Sequence, residues 1–161
     1  MFVNGKSYGK KQMERNWYLT WENVVYETGG VTAKGYSCSK EVMTQPIKTT
    51  DAPYKIELMP YKDNIAVGET AIINVRIADK NGITVPTADN QIFFTVEGGQ
   101  FLGCGNGNPG SHESDKIPVR RAFNGLCQLL VKVTDKEGFI KITAQSSGLK
   151  QDICEIKVKE I

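Results

Sequence analysis

The chain has 161 residues, of which 40% are hydrophobic, enough to build a core in one ordinary domain or two small ones. Twenty basic residues against eighteen acidic ones leave a net charge of +2, and no basic run exceeds the doublets Lys10-Lys11 and Arg120-Arg121, which argues against a nucleic-acid surface. No apolar stretch approaches the roughly 20 residues a membrane span needs, and Met1-Phe-Val-Asn-Gly5 does not read as a signal peptide.

Alternation with a period of two recurs along the chain, and no helix-length window keeps a period of about 3.6, so the expected class is all-β. Phe2 to Tyr8 reads as a hairpin about an Asn4-Gly5 turn. Strands are then expected at Trp17–Trp21, Val31–Tyr36 and Met43–Ile47. These are too few to close a sandwich, so residues 1–52 are expected to form a partial immunoglobulin-like module that lacks its first strands and seeks a partner through its open edge. Trp17, Leu19 and Trp21 share one face of the expected strand and read as core. With Tyr18, Tyr26 and Tyr36, Trp17 and Trp21 are also the candidates for stacking on a sugar ring. Thr49-Thr-Asp-Ala-Pro53 is polar and ends in proline, which puts the boundary near Ala52.

Residues 53–161 supply about seven strand candidates, the number of a complete immunoglobulin-like sandwich of about 100 residues. Ala71, Ile73, Val75 and Ile77 fall on one face of their strand, as do Ile92, Phe94 and Val96 on the next. Further on, Cys127, Leu129, Val131 and Val133 align, then Ile140, Ile142 and Ala144, then Cys154, Ile156 and Val158. Asp79-Lys-Asn-Gly82, Asp135-Lys-Glu-Gly138 and Ser146-Ser-Gly148 supply the turns between runs. The cysteines, Cys38, Cys104, Cys127 and Cys154, are widely spaced with a single His to complement them, so a zinc site is not expected and buried thiols are, Cys127 and Cys154 lying on apolar faces.

Gly103-Cys-Gly-Asn-Gly-Asn-Pro-Gly-Ser-His-Glu-Ser-Asp115 is the one stretch that resembles a site. Gly105 to Gly110 satisfies the G-x-G-x-x-G string, but a dinucleotide fingerprint needs a helix to begin at its glycines, and the next periodic segment here is a strand. Asn106, Asn108, Glu113 and Asp115 are the only candidates to hold a cation such as calcium, at a spacing that fits no EF-hand, and no metal or other cofactor is expected. Glu113 and Asp115 share one short loop instead of facing each other across a cleft, and His112 has no nucleophile at a diagnostic spacing, so no catalytic residue is expected. The alternative is an ordered Ω-like loop with Arg120, Arg121 and Asn124 as its polar partners.

Several motifs in one order give the chain a family likeness. Gly105-Asn-Gly-Asn-Pro-Gly-Ser-His-Glu113, continuing to Arg120-Arg-Ala-Phe-Asn-Gly-Leu-Cys127, resembles the C-terminal sandwich region of bacterial family 2 glycoside hydrolases of the β-galactosidase type. Phe2-Val-Asn-Gly-Lys-Ser7, Trp21 to Tyr36, Ala52-Pro-Tyr-Lys-Ile-Glu-Leu58 and Val85-Pro-Thr-Ala-Asp-Asn90 extend the likeness over nearly the whole chain. Asn108 stands where that family usually has Asp, and Gly110 where Thr is common, which removes an acidic ligand from any cation site. The resemblance implies a non-catalytic region whose parent, periplasmic or extracellular in a bacterium, carries the catalytic acids on an upstream barrel that 161 residues cannot contain. A carbohydrate-binding module and a stand-alone adhesin-like sandwich are the alternative roles, because fold alone does not separate them.

Overall fold

The computed structural model describes residues 1–134 and 138–159; the expected turn at Asp135-Lys-Glu-Gly138 falls largely outside them. Every regular element among the described residues is a strand, and no helix is long and apolar enough to cross a membrane. By backbone proximity the chain divides into two compact units, Met1–Thr49 and Thr50–Ile161.

The first unit is a single antiparallel sheet with strand order β2-β1-β3-β4, formed by β1 (Phe2–Val3), β2 (Lys6–Ser7), β3 (Gly30–Ser37) and β4 (Lys40–Lys48). Its first hairpin turns on Asn4 and Gly5, both at positive φ (47° and 84°), the conformation an Asn-Gly pair accepts most readily. The Asn4 side chain also ties the hairpin to β3, accepting from the Gly30 amide at 2.7 Å and donating to the Thr28 carbonyl at 3.1 Å. Val3 is the one large hydrophobic residue buried here among the described residues, and all nine residues of β4 are exposed.

The strand expected at Trp17–Trp21 does not form. That segment is irregular backbone following a turn at Arg15 and Asn16, and Trp17 is 62% exposed whereas Leu19 and Trp21 are half-buried. Alternation over five residues carries no strand unless a sheet edge takes up its amides, and among the described residues no strand pairs with Trp17–Trp21.

The second unit is a β-sandwich. One sheet has the order β5-β7-β11-β9, from β5 (Lys55–Pro60), β7 (Thr70–Ala78), β11 (Leu126–Val133) and β9 (Gly99–Gly105). The other has the order β10-β8-β12-β13-β6, from β10 (Val119–Arg121), β8 (Gln91–Glu97), β12 (Phe139–Gln145), β13 (Asp152–Lys159) and β6 (Asn64–Ala66). The single parallel pair is β13 with β6, so the opening segment of this unit lends β5 to one sheet and β6 to the other.

The alternating sets point inward as the period of two requires: Ala71, Ile73 and Val75 pair in register with Val131, Leu129 and Cys127, Ile77 and Val133 extend the same buried face, and Ile140, Ile142, Ala144, Ile156 and Val158 close the core from the facing sheet. Val96 and Cys154 sit half-buried at its margin. This unit holds nine strands where about seven were expected, because β6 and β10 are only three residues long and β9 runs into the glycine-rich stretch, where missing side chains erase the alternation.

Asp79 is fully buried, and among the described residues it has no cationic partner. Its carboxylate accepts from the amides of Ile83 (2.9 Å), Asp51 (3.0 Å) and Asn81 (2.9 Å), and those bonds, led by Ile83, hold it below the usual carboxylate range. One side chain therefore closes the Asp79–Gly82 turn and fastens residue 51 to the sandwich.

Candidate functional site

Gly103–Asp115 begins inside β9, so Gly103, Cys104 and Gly105 are strand residues rather than loop, and the chain leaves the sheet only at Asn106. The return is made at β10, whose central residue organises the whole stretch. Arg120 is 2% exposed. Its Nε and Nη2 donate to the Cys104 carbonyl at 3.2 and 2.7 Å, Nη1 donates to Ser111 Oγ at 3.3 Å and to the Glu113 carbonyl at 3.4 Å, and Nη2 pairs with the Asp115 carboxylate. A buried guanidinium is tolerated only when its planar fork of donors is filled, and here the Cys104 carbonyl of β9 and the loop residues Ser111, Glu113 and Asp115 fill it.

The carboxylates and amides of the stretch are spent in the same way. Glu113 accepts from the Arg121 amide at 3.1 Å and lies 3.6 Å from Arg120 Nη1 and 3.7 Å from Arg121 Nε. Asn106 Oδ1 accepts from the Asn108 amide (3.0 Å) while its Nδ2 donates to the Arg121 carbonyl (2.9 Å), and Asn108 Oδ1 accepts from the Gly110 amide (2.9 Å). These are successive Asx turns. The four side chains named as cation candidates thus face backbone amides and a guanidinium, whose charge opposes a cation. Among the described residues no three His, Cys, Asp or Glu side chains converge as metal ligands.

His112 is exposed and engages only the Gly110 carbonyl, through Nδ1 at 3.1 Å. The segment after Gly110 continues as loop to β10, without the helix a phosphate cradle requires. Of the expected polar partners, Arg120 and Arg121 hold the loop; Asn124 instead occupies the turn after β10 at φ 53°, flanked by the Phe123–Leu126 bridge. The sequence marked the loop but not its centre, since an Arg beside a second Arg in a three-residue strand carries no periodic signal.

All four cysteines are free thiols, Cys38 exposed and Cys104 and Cys127 buried. Burial pushes the Cys127 thiol up to about 12 and the half-buried Cys154 thiol to about 11. For Cys104, burial also raises the thiol against the opposing pull of Arg120.

The aromatic candidates for sugar stacking lie in the first unit. Trp17 and Tyr26 are 62% and 77% exposed, and Trp17 stacks on Tyr18 with ring centroids 5.2 Å apart. Trp21 is half-buried, with Nε1 donating to the Tyr8 carbonyl at 3.0 Å.

Residues 56–155 match the glycoside hydrolase family 2 C-terminal domain 5. The chain belongs to that family. Residues 1–43 match a domain of unknown function (DUF4982). Along its full length the chain is 35% identical to a β-galactosidase, BoGH2A, of Bacteroides ovatus, and over 93% of its length it is 26% identical to a β-glucuronidase of Formosa agariphila. It spans 19% and 16% of those two relatives. Among solved structures, a β-glycosidase from Bacteroides vulgatus is similar to 98% of the chain with a TM-score of 0.91 at 32% identity, the match covering 20% of that protein. The likeness that the sequence motifs carried is therefore that of this family 2 C-terminal region, and the sandwich described above is its domain 5.

Proposed function

We propose that this chain is a non-catalytic accessory region of a β-galactosidase-type family 2 glycoside hydrolase, packing against the parent's upstream catalytic barrel in the periplasm or outside the cell. The observation that carries the reading is that Glu113 and Asp115, the acids of the site-like loop, are both committed to Arg120 and Arg121. A glycosidase needs one carboxyl to give a proton and another to attack or activate water across a cleft, and acids tied to one guanidinium do neither. The purified chain is expected to leave nitrophenyl β-galactoside unhydrolysed. Turnover above background that disappears in Glu113→Gln would overturn the reading.

The first unit fits the role of a partial module, residues 1–52, ahead of a complete sandwich at 53–161. Among the described residues no strand pairs with the outer edge of β4, the condition in which strands of a parent chain or of a second copy add to a sheet. Strong amide protection throughout β4 in a monomeric sample of the chain alone would contradict this. A second reading, carbohydrate binding, is favoured by the exposed Trp17–Tyr18 stack. It is tested by titrating galacto-oligosaccharides against the chain and against Trp17→Ala, with loss of binding in the variant as the supporting result.

A further inference from the structure

A hollow of about 520 Å³ opens on the first unit, inside the range of roughly 300 to 1,000 Å³ usual for small-ligand sites. Phe2 of β1 and Met43 of β4 line it from the sheet, and Met13 and Leu19 from the irregular segment opposite. Two rings, Trp21 and Tyr36, complete the wall, the first held in place by its bond to Tyr8.

Each ring has an ammonium beside it. Lys10 Nζ is 5.2 Å from the Tyr36 ring centroid and Lys11 Nζ is 5.6 Å from that of Trp21, within cation–π range. Lys11 also donates to the Thr20 carbonyl at 2.6 Å, which leaves two of its three donors free. Neither lysine forms an ion pair among the described residues, whereas Lys34, which also lines the hollow, is paired with Glu41 at 2.9 Å. The aromatic faces therefore orient two cations that no protein carboxylate neutralises, at the rim of an apolar wall.

This lining selects by chemistry. Ser7 and Gln12 add a hydroxyl and an amide that could serve a neutral polyol. Among the described residues, however, the two unpaired side-chain charges at the hollow are both ammonium groups, which only donate, and a carboxylate only accepts and carries the opposite charge. We propose that the hollow binds a compact aryl carboxylate, its ring against Phe2, Leu19 and Met43 and its carboxylate on Lys10 and Lys11. The site lies in the first unit and does not depend on the accessory role, which fails by glycoside turnover, whereas this assignment fails by the absence of charge-selective binding.

The test is calorimetric titration of the full 161-residue chain with 2-naphthoate and with 2-naphthamide, a neutral ligand of the same shape. Naphthoate is expected to bind at one site, about tenfold more tightly than the amide, with affinity falling as salt rises. Lys10→Gln and Lys11→Gln, both at exposed positions, should each weaken naphthoate about fivefold. Lys48→Gln, in β4 and outside the hollow, should leave it unchanged. Equal affinity for the two ligands, no binding of either at millimolar concentration, or full affinity in both Lys10→Gln and Lys11→Gln would overturn the assignment.

Discussion

Both units are built mainly of antiparallel strands, yet they solve the burial problem differently. In residues 50–161 each sheet turns an apolar face to the other, and Ile73, Ile77, Leu129, Ile142 and Ile156 are fully buried. In residues 1–49 there is one sheet and, among the described residues, no second sheet to lay over it: Val42, Met43 and Ile47 are 63%, 55% and 68% exposed. The backbone ladder is as regular in the first as in the second, which shows that hydrogen bonding and turn chemistry suffice to give a hairpin its register. What a lone sheet lacks is the second layer that turns alternation into burial, and hence into most of the favourable free energy of folding.

The sharpest way to break this comparison is to truncate side chains in both units. Leu129→Ala or Ile142→Ala should cost about 2 to 5 kcal/mol in urea unfolding, whereas Ile47→Ala should stay within about 0.5 kcal/mol. A cost of about 2 kcal/mol at Ile47 would mean that the β4 face is covered in solution.

Next in size is the buried guanidinium. Arg120→Met keeps an apolar stem but strips the Cys104 carbonyl of both its donors and leaves Asp115 unpaired, at a cost of about 2 to 3 kcal/mol. Amide exchange should accelerate across Gly103–Ser114 and remain unchanged in β3 and β4. Exchange that accelerates equally in both units would show that they do not unfold independently.

Two glycines of the same stretch separate backbone strain from packing. Gly107 has φ 72° and open space around it, so Gly107→Val is opposed by its backbone alone, at about 2 kcal/mol and near 10 °C in Tm. Gly105 lies in β9 at ordinary φ, also with open space, and Gly105→Ala should leave Tm within about 2 °C. Similar losses in the two variants would contradict the strand assignment of Gly105.

The smallest effect is a pH dependence confined to the sandwich. Cys127 ionises near 9.0 when unfolded and near 12 when folded, so its contribution is fully present below about pH 9 and is lost as pH rises toward about 12. At pH 10 the wild-type chain should therefore have lost about 1 kcal/mol that Cys127→Val retains. Parallel pH profiles for the two proteins would show that this thiol is not buried in solution.

Much of the second unit is legible in the sequence because its alternation is long. The runs at Thr70–Ala78 and Leu126–Val133 name their own inward faces, since a strand buried on one side has only two ways to face and only one of them hides the apolar set. The Asn4-Gly5 hairpin is legible for the same local reason, positive φ being cheap for those two residues. Trp17–Trp21 shows where the argument stops: five residues of alternation were available, but strand formation depends on an edge elsewhere in the chain, which no local pattern encodes.

By itself, then, the sequence determined the all-β class, the core faces and the family likeness, all of which rest on spacing and on residue conformational preference. Only the tertiary structure decided that Arg120 is the centre of the glycine-rich stretch, that Asp79 is buried on three amides, and that Lys10 and Lys11 meet Tyr36 and Trp21 at one hollow. Those arrangements join residues up to 28 positions apart or lie across two sheets, and the free energy of such contacts is set by desolvation and geometry at the meeting point, which does not exist until the chain has folded.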